Sequence, residues 1–69
     1  MPDNERRRRI RHDLRTPLTI VSGFAEVLAG ERSISESDRR EYAGRIQAAA
    51  VEIGELVDAL LEEETQEGA

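Results

Sequence analysis

Between Tyr42 and Leu60 the apolar residues return at intervals of 4, 3, 4, 3 and 4, through Tyr42, Ile46, Ala49, Ile53, Leu56 and Leu60. A turn of α-helix holds 3.6 residues, so this rhythm, sustained over almost three heptads, draws one apolar seam along a helix that packs on another helix. Ala50, Val57 and Leu61 widen the seam. The first half repeats the pattern with Ile10, Leu14, Pro17, Val21, Phe24 or Ala25, and Leu28. The spacing predicts a first helix over residues 4–29, a connection over 30–35 and a second helix over 36–62. The acidic tail 63–69 is expected to fray, because its glutamates oppose the negative end of the helix dipole.

The punctuation between the two segments is short. Gly30 is placed to take the left-handed conformation that ends many helices, and Ser35 with Asp38 three residues later resembles an N-terminal cap. Ile34 is expected to tuck against the tip. So short a connection folds two helices into an antiparallel hairpin, and the expected fold class is all-α, with residues 1–69 as a single domain. Gly44 and Gly54 each weaken the second helix by about 1 kcal/mol relative to alanine and read either as close-packing positions or as tolerated ones.

A hairpin of two amphipathic helices leaves one side of its apolar stripes uncovered. Sixty-nine residues cannot enclose a large core without a staple or a partner. Cysteine is absent, which removes disulfides, and with one histidine no zinc ligand set remains. Pairing two hairpins about a two-fold axis buries both stripes, so the expected assembly is a homodimeric four-helix bundle. Charged residues make up 36% of the chain and aromatics 3%, a balance that suits long amphipathic helices better than sheets. No apolar run approaches the roughly 18 residues that cross a bilayer. The expected compartment is cytoplasmic, including the cytoplasmic part of a membrane sensor.

The formal net charge of -5 conceals a polarity along the chain. Arg6, Arg7, Arg8, Arg9, Arg11 and Arg15 crowd the start, and Glu62, Glu63, Glu64 and Glu67 crowd the end. Three readings of the arginines stand side by side: a solvated helix start, a phosphate neighbourhood around His12 formed by Arg8 and Arg15 one turn away, or a nucleic-acid arm. No aromatic residue is interleaved with them and no helix-turn-helix or zinc pattern follows, so nucleic acid is not expected as a partner.

His12 is the only histidine. It shares a stripe with Thr16, Thr19, Gly23 and Glu26, spaced 4, 3, 4 and 3, none of them a large apolar residue. That company predicts an exposed imidazole. Imidazole is the side chain whose neutral, nucleophilic form is well populated near neutral pH, and Asp13 beside it can hold one tautomer. Pro17 removes a backbone donor and crowds the carbonyl at Asp13, so a kink is expected at the same turn, with the helix continuing beyond it. Thr16 lies one turn past His12; its hydroxyl can bond a water or fold back onto its own helix.

The run His12-Asp13-Leu14-Arg15-Thr16-Pro17-Leu18-Thr19, with a heptad helix downstream at hairpin distance, resembles the H-box of sensor histidine kinases and their dimerisation and phosphoacceptor domain. The resemblance covers most of the chain. It implies that His12 takes a phosphoryl group from the γ-phosphate of ATP on its distal nitrogen and passes it to an aspartate of a response-regulator receiver. It implies that Asp13 acts as general base or orienting group, and that Asp13 and Thr16 support dephosphorylation of the receiver. Thr19, Gly23 and Glu26 are candidate partner-binding residues on the same stripe.

ATP and Mg are implied for a separate catalytic domain, acting in cis or trans, because nothing here resembles the family's Asn-rich and Gly-rich nucleotide boxes. No cofactor is expected on this chain itself, and no self-sufficient kinase activity. Two other readings compete: a stand-alone histidine phosphotransfer relay, and a non-catalytic helical adaptor dimer in which His12 is incidental.

Overall fold

Every ordered element among the described residues is helical. α1 spans Pro2–Asp13, α2 spans Arg15–Ala29 and α3 spans Glu36–Gly68. The computed structural model describes residues 2–68, with side chains described for residues 4–62. α3 packs along both α1 and α2, so the first two helices form one arm of a hairpin and α3 the other. The hairpin is a rod of 51 × 14 × 13 Å.

The first arm differs from the single helix expected over 4–29. It begins at Pro2 and divides at Leu14, which lies in a turn between α1 and α2. Pro17 has no N–H to give the carbonyl of Asp13, and its ring crowds that carbonyl, so regular helix is interrupted one turn before the proline. The interruption is minimal. Leu14 keeps right-handed helical angles of φ -66 and ψ -23, and bonds from Leu14 N–H to the Ile10 carbonyl and from Leu18 N–H to the Leu14 carbonyl, each 3.1 Å, carry the helical path across it.

The connection corrects one further expectation. Gly30 sits at φ -73 and ψ 172, extended and not left-handed, and no glycine of the chain's described residues has a positive φ. The chain leaves α2 by opening ψ, while the Gly30 N–H closes a tight last turn onto the Val27 carbonyl at 3.3 Å. The start of α3 is capped as the spacing indicates: the Asp38 N–H donates to Ser35 Oγ at 3.0 Å, and the Arg39 N–H donates to the Ser35 carbonyl at 2.9 Å. Glu36 and Asp38 in this first turn face the positive end of the helix dipole. At its other end α3 stays helical to Gly68, well past the expected limit near 62.

The core lies along the two predicted stripes. Pro17 is fully buried, and Ile10 and Ala49 are buried as well. Leu14, Val21, Phe24 and Leu28 of the first arm are half-buried, as are Tyr42, Ile46, Ile53, Leu56 and Leu60 of α3. Phe24, not the exposed Ala25, takes the inward position. The chain's single Phe and single Tyr stack on each other across the hairpin, with Phe24 and Tyr42 ring centroids 5.1 Å apart, a contact that ties α2 to α3 near the tip. Ala50, Val57 and Leu61, which widen the seam, stay exposed.

Candidate functional site

His12 stands in the last turn of α1, immediately before the interruption at Leu14. Ile10 and Leu14 on either side of it turn inward, so the imidazole is carried on the outer face, with its side chain 79% exposed. Asp13 is the adjacent residue, its side chain 53% exposed, and its Oδ1 lies 3.8 Å from His12 Nδ1. That separation exceeds a direct hydrogen bond. At this separation the Asp13 carboxylate reaches the ring through its field and not through a direct bond. A carboxylate on the Nδ1 side favours the proton on that nitrogen and leaves Nε2 with an in-plane lone pair. The geometry thus yields an accessible nucleophilic nitrogen with no apolar wall around it.

The residues around His12 fall into three open depressions. His12 lines the first, of about 450 Å³, with Glu5, Arg8 and Arg9. Asp13 and Thr16 line the second, of about 310 Å³, with Glu52 and Leu56 of α3. Arg15, Thr19, Gly23 and Glu26 line the third, of about 530 Å³, with Leu18 and Ser22.

Of the residues expected to surround a phosphoryl group, Arg8 shares the depression with His12, and Arg15 lines the groove farther along the arm. Asp13 and Thr16 come together on the side that faces α3. Thr19, Gly23 and Glu26 lie together as their stripe requires. Arg9 was not singled out by sequence reasoning, although its position three residues before His12 carries the same helical signal as Arg8 at four. Glu52 and Leu56 are a different matter, since only the register of the hairpin brings them opposite Asp13 and Thr16. Among the described residues no group of three or more His, Cys, Asp or Glu side chains gathers as a metal site. No helix among them is long and apolar enough to cross a membrane.

The hairpin thus carries an exposed imidazole beside a carboxylate at an interrupted turn, on an open surface and not in a closed pocket. Comparison with known proteins gives the family. Residues 8–69 match the model of the His Kinase A (phospho-acceptor) domain, and the chain belongs to this family, a module of two-component histidine kinases. It is 40% identical over 55 residues to an uncharacterized sensor-like histidine kinase of Rhizobium meliloti (strain 1021), a match covering 77% of this chain and 10% of that protein. The chain thus spans about a tenth of the length of the curated relative it matches. No solved structure matches it.

Proposed function

We propose that this chain is the dimerisation and phosphoacceptor module of a sensor histidine kinase, with His12 as the phosphorylated residue. The observation that carries the reading is the single exposed imidazole with Asp13 on its Nδ1 side, in a chain of this family. His12 Nε2 attacks the γ-phosphorus of ATP presented by a separate catalytic domain, which also holds Mg. A P–N bond forms, the bond from phosphorus to the bridging oxygen breaks, and ADP leaves. Asp13 holds the Nδ1 proton and offsets the positive charge that develops on the ring. In the second transfer a receiver aspartate oxygen attacks the phosphorus, the P–N bond breaks, and His12 returns to its neutral form. Arg8 lies within a turn of the phosphoryl group and lowers the cost of bringing anions together there. Thr16, beside Asp13, orients a water for dephosphorylation of the receiver.

The receiver docks along the arm beyond His12, on the groove formed by Arg15, Leu18, Thr19, Ser22, Gly23 and Glu26. Leu18 is 49% exposed and offers an apolar anchor, and the space above Gly23 is open for 4 Å. The module works as a dimer. Its accessible surface is 5612 Å², whereas a compact monomer of this mass exposes about 4,400 Å². The elongated shape accounts for a surplus of this kind, and it leaves long helix faces available to a partner, against the ~800 Å² that each partner buries in a typical stable interface. Among the large apolar residues left exposed within the described residues, Val57 and Leu61 share one face of α3.

One experiment tests the phosphotransfer reading. The chain is mixed with a histidine-kinase catalytic domain, ATP, Mg and a receiver, and phosphohistidine and phosphoaspartate are resolved separately. His12→Gln is expected to abolish both, and acid-labile phosphate persisting on that variant refutes the assignment. Thr16→Ala is expected to keep the label on His12 while slowing receiver dephosphorylation by on the order of a hundredfold, the scale of losing an orienting contact. An unchanged dephosphorylation rate removes Thr16 from the mechanism.

A further inference from the structure

The depression that holds His12 is built entirely from α1, and its other members are Glu5, Arg8 and Arg9. Each arginine stands between Glu5 and His12. Arg8 is three residues after Glu5 and four before His12; Arg9 is four after Glu5 and three before His12. Both spacings put neighbouring side chains on one helix face. A helical side chain covers the turn N-terminal to its own Cα, so the His12 ring leans over the turn that carries Arg8 and Arg9.

All four side chains are exposed. His12 pairs with Asp13 and Arg40 with Glu36, and among the described residues neither Arg8 nor Arg9 is held by a carboxylate. Arg7 differs from them: it is half-buried and donates to Asn4 Oδ1 within its own helix. Arg11 is next to His12 in sequence but about 100° round the helix from it, and does not line the depression.

We infer that Arg9, together with Arg8, forms a two-guanidinium cradle that binds the phosphoryl oxygens at His12, with Glu5 in the same depression lowering its net positive charge. The inference rests on His12 being the phosphoryl acceptor. Guanidinium groups suit this task because their planar fork matches a phosphoryl group with two parallel donors. Before transfer the cradle carries a net positive charge, two arginines against one glutamate, and it draws an anionic donor to the imidazole. After transfer the arginines turn to the phosphoryl group, whose two negative charges attract them more strongly than the single charge of Glu5. Glu5 thus tempers the cradle when it is empty.

The test uses the whole chain and phosphoramidate, a small phosphodonor that needs no catalytic domain. His12 Nε2 attacks phosphorus, a P–N bond to the ring forms, the P–N bond to the amine breaks, and ammonia leaves with the proton. The initial rate of phosphoryl gain at His12 is followed by mass spectrometry, and helicity is checked by circular dichroism. Arg9→Ala is expected to slow labelling by about fivefold, the factor that one unit charge a few ångströms away exerts in a solvent-like dielectric. Arg9→Lys, which keeps the charge but loses the fork, is expected to recover only part of the loss, Glu5→Gln to raise the rate, and Arg11→Ala, which removes the same formal charge from a different face, to leave it unchanged. A wild-type rate in Arg9→Ala, or an equal loss in Arg11→Ala, overturns the cradle while leaving His12 as the acceptor. Absence of any label on His12 in the wild-type chain overturns the acceptor assignment and the cradle with it.

Discussion

Val57→Asp separates the hairpin from its dimer. Val57 is 38% exposed in the single chain, so a carboxylate there is solvated in the monomer and changes its stability by no more than about 0.5 kcal/mol. The dimer is another matter. Val57 shares a face of α3 with Leu61 four residues on and Ala50 seven residues back, the residues that widen the apolar seam yet stay outside the hairpin core. In a two-fold bundle that face is covered by the partner, and each protomer contributes one buried, unpaired carboxylate. After local relaxation such a charge costs several kcal/mol. Taking about 2.5 kcal/mol per protomer and doubling it for the two-fold axis gives roughly 5 kcal/mol against association. This corresponds to a dissociation constant raised by more than about a thousandfold.

Val51→Asp is the matched control: Val51 is 57% exposed, but it lies about 120° round the helix from Val57, beside Gln47 and Asp58. Sedimentation equilibrium over a wide concentration range, with the concentration dependence of the melting temperature as a second reading, measures both variants. The expected result is a monomeric, still helical Val57→Asp and a Val51→Asp that dimerises like the wild type. A dimer of unchanged affinity in Val57→Asp refutes the reasoning, and so does dissociation confined to Val51→Asp, which places the interface on the wrong face of α3.

Two substitutions test the connection. Gly30→Ala is expected to stabilise the chain by about 0.4–1 kcal/mol in thermal or urea unfolding, because the native φ suits alanine and the unfolded chain loses freedom. An added Cβ would meet only the Val27 carbonyl at 3.4 Å and the Glu26 carbonyl at 3.5 Å; a clear loss of stability shows instead that the position needs glycine. Ser35→Ala removes the acceptor of the Asp38 N–H and is expected to cost about 1 kcal/mol, with an unchanged urea midpoint as the contrary result.

Helix content, the inward stripes and the exposure of His12 were legible because each depends on local spacing. Ile10, Leu14, Pro17, Val21, Phe24 and Leu28 recur at helical intervals, and a residue of the opposite stripe must point away from whatever covers them. The cap at Ser35 was legible for the same reason, since its donor is three residues away. The exit from α2 was not. Glycine tolerates both the left-handed and the extended conformation, and residue type alone does not choose between them. Nor was the division of the first arm: Pro17 predicts a disturbance at Asp13, but whether the helix bends or breaks depends on how Leu14 is held against α3.

Linear order alone therefore determined two amphipathic arms, a capped second helix and an outward imidazole beside a carboxylate, because those features are set within one or two turns of chain. The tertiary structure decided which residues of the far arm meet the site. Glu52 and Leu56 come to Asp13 and Thr16 only through the register of the hairpin. That register follows from the path through residues 30–35 and from the Phe24 and Tyr42 rings stacking across the tip. The ring contact joins two different helices, and no spacing within one helix encodes it.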